Sequence, residues 1–388
     1  MKIKILLTLL IIFALNGCGG GGETPTQITD NSYNDTYTPT PTQQDDYNYT
    51  NDYDYTYIEP KPEEPKPKEY NLSQINGVES HLKYTGVGVT IGVVDGGFDL
   101  NNSELNNTEI LNKEDYSNLP YFTSDSINHG TAMTQIIGAD GEKVKGITQG
   151  AIFLLGYYKS NASSDAYKMM NELGASVINN SWAPTIGGGF GSGFGNYLGD
   201  DSNNVILDLS VNGNKGKGIV FVFGMANDDK DIEELYNHWR YLAYEYDENG
   251  TKSPKTIDDN ILLVGSLDSQ DKDKKKSYSN YGSSADVFVP DSVYANFGEG
   301  NGTNPLFKEL VDGGTSSATA IVTSIVAMAQ EARGDLNSSV IMDLICKTAT
   351  QIGDTPYDVK DINGNMRSKV FGCGKVDVDA FITAVEKF

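Results

Sequence analysis

Four polar residues stand where the chain passes between extended and helical segments, and their types together suit acyl transfer. Ser316 lies in Gly313-Gly314-Thr315-Ser316-Ser317-Ala318-Thr319-Ala320, a run of small residues that interrupts an extended segment and opens the apolar helix at 321–328. Glycines permit a tight turn there, and the unsatisfied N–H groups and dipole of a first helical turn favour negative charge developing nearby. A serine so placed can attack a carbonyl. His129, one of three histidines in the chain, begins the short helix read from 128 to 137. A helix amino end disfavours imidazolium, so the ring is expected to rest neutral and able to accept a proton. Asp95 follows the strand at 89–94, at the carboxyl edge where doubly wound sheets build their sites. Asn227 lies just beyond the buried strand at 218–223, where its amide can donate to an oxyanion. Taken singly, each residue also has a plain structural use: a helix N-cap, a helix-start polar residue, an Asx-turn or a turn closure.

Stepping along the chain, strands and helices alternate. Strand-like 151–156, a helix near 164–173, strand-like 176–182, a helix near 201–212 and the strand at 218–223 are followed by a buried strand at 261–266. An extended stretch at 286–290 precedes the Ser316 segment, and amphipathic helices at 338–348 and 378–386 end the chain. This alternation predicts an α/β fold with a doubly wound, mostly parallel sheet flanked by helices. Three stretches sit outside the pattern. The glycine-rich 187–199 reads as a surface loop, the aromatic-rich 231–245 with His238 as a helical insertion, and the charge run at 271–276 as a solvated turn.

The amino terminus has a different character. Met1-Lys2-Ile3-Lys4 precedes an apolar run, 5–15, that is short for a membrane span and reads as a secretory signal. Leu15-Asn16-Gly17-Cys18 resembles the lipobox of bacterial lipoproteins, which makes Cys18 the expected lipidation site; an ordinary secretory signal with an incidental cysteine is the alternative. Acylation would anchor the chain at a membrane surface in an extracytoplasmic location. Residues 18–70 are rich in Gly, Thr, Pro, Asn, Asp and Tyr and lack apolar periodicity. They read as a disordered tether spanning about 40 Å as a random coil. The expected organisation is a signal at 1–17, a tether at 18–70 and a globular domain at 71–388.

With 53 acidic and 29 basic side chains the formal net charge is −24, so a polyphosphate partner would be repelled and nucleic acid is not expected. With Cys18 acylated after signal removal, two unmodified cysteines remain, Cys346 and Cys373. An oxidising compartment would let them pair, contributing about 3–4 kcal/mol on the chain-entropy model; two separately buried thiols are the alternative.

Val94-Asp95-Gly96-Gly97, His129-Gly130-Thr131 and Gly314-Thr315-Ser316-Ser317-Ala318-Thr319 occur in the order Asp, His, Ser, and in this the chain resembles the subtilisin-like serine proteases. Three more blocks fit in the same order: Val177-Ile178-Asn179-Asn180-Ser181-Trp182, residues 219–227, and Val264-Gly265 through Asp286-Val287-Phe288-Val289-Pro290. The resemblance spans about 71–388. It implies a serine endopeptidase with Ser316 as nucleophile, His129 as general base, Asp95 orienting the ring and Asn227 as oxyanion donor. It also implies an extended peptide substrate flanked by Ser181, Trp182 and Ala183 and by the edge near Ser160-Asn161, with 187–199 bordering the specificity pocket.

The chain departs from the family pattern at several places. Gly96 stands where Ser or Thr is usual, Ala226 where Gly is usual, Ala132 for a His, and Ser317 and Ala320 for Met and Pro. These departures leave open a non-catalytic peptide-binding surface lipoprotein on the same scaffold. No cofactor or metal is expected: Asp140-Gly141-Glu142-Lys143-Val144 is short for the family's calcium loop, and structural calcium is not indicated. The low-complexity amino-terminal segment is no folded inhibitory prodomain.

Overall fold

Strand β1 (Thr90–Asp95) is an interior strand of a seven-stranded parallel sheet, with β2 (Glu109–Ile110) and β3 (Ile152–Tyr157) on one side and β4 (Val177–Asn180) and β5 (Val220–Gly224) on the other. This computed structural model describes residues 72–388 except 113–123, 158–161, 183–199, 234–242, 247–251, 256–260, 272, 298–305 and 311–312. A hairpin of β6 (Ala243–Tyr246) and β7 (Lys252–Lys255) precedes β8 (Ile261–Leu267) and β9 (Val287–Pro290). The sheet order is β2-β3-β1-β4-β5-β8-β9. After β3 the chain crosses to the far side of β1, so a topological switch point falls at the carboxyl end of β1, where open α/β sheets form crevices.

Alternate side chains of the strands face opposite ways and build two cores. Ile91, Val93, Val177, Val220, Val222 and Val264 pack under α2 (Ser124–Gly138), α5 (Gly314–Ala332) and α7 (Val378–Lys387). Val94, Ile178, Phe221 and Phe223 pack instead against Tyr167 and Met170 of α3 (Ala162–Glu172) and Ile206 and Leu209 of α4 (Asp200–Gly216). Strands covered on both faces read as continuous apolar runs, which is how the sequence betrays them. The short α1 (Val78–Lys83), the hairpin β10 (Val293–Phe297) with β11 (Leu306–Leu310), α6 (Ser338–Lys347) and the hairpin β12 (Tyr357–Lys360) with β13 (Met366–Ser368) complete the described chain.

Helix α5 is buried almost throughout although it holds four Ser and Thr residues after its first turn begins to close. Thr319, Thr323 and Ser324 donate to the carbonyls four residues back, and Ser317 does the same to Gly313. Back-bonding of this kind lets a hydroxyl lie in a core without an unmet donor.

Two expectations need correction. The aromatic-rich stretch taken as helical carries strand β6, whose Ala243, Tyr244, Glu245 and Tyr246 pair with β7; alternation of small or charged residues with tyrosines has the period of a strand. The charge run is not simply a solvated turn. Lys275 and Lys276 are only 14% and 11% exposed, and Lys275 Nζ donates to Asp229 and to the carbonyls of Lys276 and Ser279.

Candidate active site

β1, β4 and β5 are neighbours, and their carboxyl ends meet at one edge. Asp95 is the last residue of β1, Ser181 and Trp182 follow β4, and Asn227 lies three residues beyond β5. α2 and α5, packed on one face, bring His129 and Ser316 to the same edge.

Asp95 is 1% exposed. Its Oδ1 and Oδ2 lie 2.8 and 3.0 Å from His129 Nδ1, and the Gly96 N–H donates to Oδ1 at 2.6 Å. The backbone thus supplies a donor to the carboxylate at the very position where the side-chain hydroxyl usual in the family is missing. With Nδ1–H given to Asp95, a neutral ring carries its lone pair on Nε2. The approach is close because residue 130 is glycine: a Cβ there would fall 2.2 Å from the Gly97 carbonyl oxygen and 3.0 Å from Asp95 Cβ.

The electrostatics of His129 differ from expectation. α2 begins at Ser124 rather than at 128, so His129 sits in the second turn, where the helix dipole has faded. Burial lowers its pKa, but the Asp95 charge and hydrogen bond outweigh that and raise it above the ordinary 6.5. The ring is therefore poised to take and hold a proton.

Ser316 occupies the first turn of α5, where backbone N–H groups have no partner within the helix. Its Oγ donates to the Ser181 carbonyl at 2.9 Å, and Ser181 Oγ donates to the Ser316 carbonyl at 2.8 Å, a reciprocal pair that ties the amino end of α5 to the end of β4. Asn179 donates to Ser181 Oγ at 2.9 Å, and its Oδ1 lies 3.0 Å from Thr323 Oγ1, within reach of the one hydroxyl proton it shares with the Thr319 carbonyl. Asn179, Ser181 and Thr323 are all buried. Sequence reasoning passed over Asn179 and Thr323; the signal was there in a polar pair, Asn179-Asn180, ending an otherwise apolar strand.

Asn227 is exposed. Its Oδ1 accepts from the Thr315 N–H at 3.0 Å, which leaves the amide hydrogens as the group presented beyond the turn. Gly314, at φ +74°, makes room for it: a Cβ there would lie 3.1 Å from Asn227 Nδ2. Ala226, where the family has glycine, holds φ 72°, a left-handed conformation that costs a residue with a Cβ about 1–2 kcal/mol.

The expected substrate-flanking residues divide. Ser181 turns its side chain inward, as does Trp182, whose Nε1 donates to the Val94 carbonyl at 2.8 Å and whose ring meets Phe223 edge-on at 5.5 Å. Only their backbones are available to a peptide. Ala183, Ser160, Asn161, the stretch 187–199, Cys18 with the signal and tether, and His238 lie outside the described residues. Cys346 and Cys373 are joined in a disulfide, with Cα atoms 5.3 Å apart. Near the short 140–144 stretch, Glu104 Oε2 accepts the N–H groups of Lys143 and Val144 at 3.0 and 2.8 Å, so this buried carboxylate is engaged by backbone donors.

The sequence and the fold are matched among known proteins. Residues 86–374 match the model of the subtilase family, Peptidase S8. The epidermin leader peptide-processing serine protease of Staphylococcus epidermidis is 25% identical over 217 residues, which are 50% of this chain and 45% of the relative. The chain thus spans about half the length of that curated relative. Among solved structures, the subtilase cytotoxin assembly matches at TM-score 0.57 and 16% identity, over 82% of this chain and 97% of that one. The prenylagaramide maturation protease PagA matches at 0.54 and 19%, over 80% and 99%. These two likenesses are of fold.

Proposed function

This chain belongs to the subtilase family of serine proteases, and from that premise we propose that it hydrolyses peptide bonds with Ser316, His129, Asp95 and Asn227 as its working groups. The observation that carries the reading is the pairing of a buried Asp95, through both its oxygens, with His129 Nδ1 at the strand edge where the α5 amino end also lies. In the proposed reaction the Ser316 hydroxyl leaves the Ser181 carbonyl, turns to the imidazole and attacks the scissile carbonyl as Nε2 takes its proton. The raised pKa of His129 helps it hold that proton until the leaving amine receives it, and Asp95 stabilises the imidazolium meanwhile. Charge on the tetrahedral oxygen is met by the Asn227 amide and the Ser316 N–H, a side-chain donor of this kind contributing about 3–4 kcal/mol. Water then hydrolyses the acyl-Ser316 ester, with His129 again as base.

The substrate proposed is an extended peptide segment of a protein, paired to the backbone at Ser181–Trp182. The naming of the epidermin relative for leader processing favours limited cleavage of a precursor over general degradation. The chain is further proposed to act outside the cytoplasm, held at a membrane by acylated Cys18; the Cys346–Cys373 disulfide suits such an oxidising location. Nucleic acid has no part in this reading.

A second reading, peptide binding without cleavage, draws on the Ser316 hydroxyl being engaged by Ser181 and on the left-handed Ala226. Incubation with a peptide library separates the two. Cleavage that Ser316→Ala abolishes supports the protease; saturable peptide binding by a folded chain that cuts nothing contradicts it.

A further inference from the structure

The loop carrying Asn227 is unusual in two respects. Residues on either side of it, Ala226 at φ 72° and Asp229 at φ 52°, are non-glycine residues in left-handed backbone, and conformations of this kind persist only where the surroundings over-determine them. Asn227 itself is exposed, its Oδ1 accepting from the Thr315 N–H.

What holds the loop is Asn280. This residue is 0% exposed, and its side chain and backbone reach both flanks of Asn227. Nδ2 donates to the Met225 carbonyl at 2.8 Å, and the Asn280 N–H donates to the Ala226 carbonyl at 3.2 Å. Oδ1 accepts from the N–H groups of Asp228 at 3.1 Å and Lys230 at 3.0 Å. Two further bonds from the same segment reinforce the hold: the Asp229 N–H donates to the Tyr278 carbonyl at 2.8 Å, and Lys275 Nζ donates to Asp229 at 2.7 Å. Two carbonyls before Asn227 and two N–H groups after it are thus captured by one buried amide residue.

We infer that Asn280 is the positioning residue for the oxyanion donor, fixing where the Asn227 amide points by clamping the strained backbone on both sides. The inference rests on the proposed role of Asn227. A donor stabilises a transition state only if it is already aimed when charge develops. A looser loop would therefore lower the rate of the chemical step while leaving ground-state peptide binding nearly intact.

The test is a double-mutant cycle on kcat and KM for a cleavable peptide, with rates expressed per site titrated by a fluorophosphonate so that unfolded protein does not count. Asn280→Ala is expected to lower kcat by about tenfold or more, toward the loss expected of Asn227→Ala, with little change in KM. Asn280→Asp, which keeps the acceptor for Asp228 and Lys230 but not the donor to Met225, is expected to fall between and guards against a poorly folding alanine variant. The double variant Asn227→Ala/Asn280→Ala is expected to be no slower than Asn227→Ala alone, because a clamp with nothing to aim has no further effect. A loss that multiplies onto that of Asn227→Ala, or an unchanged kcat in Asn280→Ala, overturns the inference and leaves the Asn227 reading standing. An unchanged kcat in Asn227→Ala overturns both.

Discussion

The two halves of the site are held by different means. Asp95 and His129 are fixed by the sheet and by packing: a carboxylate at the end of the interior strand β1, 1% exposed, with a helix pressed onto it through Gly130. Asn227 stands on an exposed turn whose backbone is strained at Ala226 and Asp229 and is held by hydrogen bonds from a single buried segment. Close-packed contacts permit little displacement, because moving one element means moving its neighbours. A polar clasp on a loop can loosen locally without disturbing a core. The proton-transfer half should thus fail through lost chemistry, and the oxyanion half through lost aim.

The largest expected effect breaks the first half. Asp95→Asn should lower kcat by about 10⁴-fold, as when the carboxylate orienting a catalytic imidazole is neutralised in other triads. It should also move the pH profile in a stated direction. The Asp95 charge is what raises the His129 pKa above 6.5 against burial. Since the base must be neutral, kcat/KM of the parent should rise with pH about a midpoint above 6.5, and residual activity in Asp95→Asn, where burial alone acts, should rise about a lower one. The same linkage bears on stability: the raised pKa contributes fully below 6.5 and is lost as pH climbs through the folded-state value.

A smaller effect breaks the second half. Asn227→Ala should lower kcat by about 10²–10³-fold with KM nearly unchanged and the pH midpoint where it was, since no charge near His129 is altered. A shift in that midpoint would show that the two halves are not separate. The smallest effect sharpens the comparison. Ala226→Gly relieves a left-handed residue and should raise stability by about 1 kcal/mol in thermal or denaturant unfolding, the left-handed penalty outweighing the added freedom of glycine in the unfolded chain.

The order Asp95, His129, Ser316 was legible because each residue lies at a junction between elements, where turn-forming glycines and a change of apolar period mark the place. The parallel sheet was legible for a related reason, in that strands buried on both faces are continuous apolar runs. What stayed hidden was carried by contacts between distant segments. Asn280 acts on a loop 52 residues away, and in sequence it is one polar residue in a polar stretch. The burial of Lys275 was hidden likewise, since a run of alternating charges does not tell which ammonium will find carbonyls to donate to. Trp182 follows β4 at the carboxyl edge of the sheet, but its orientation depends on the Val94 carbonyl of a neighbouring strand, which no local pattern shows. α2 begins four residues before the apolar pattern that marks it in sequence, enough to set His129 beyond the first turn, where the nearby charge of Asp95 and not the helix dipole governs its ring.

The central claim, that Ser316 is a nucleophile activated by His129, meets its most direct test in the intact mass of the purified chain after exposure to a fluorophosphonate. One adduct, mapped to Ser316, absent from Ser316→Ala and nearly absent from His129→Ala, is the predicted result. A folded parent chain that gains no mass, or an adduct that persists undiminished in His129→Ala, would contradict it.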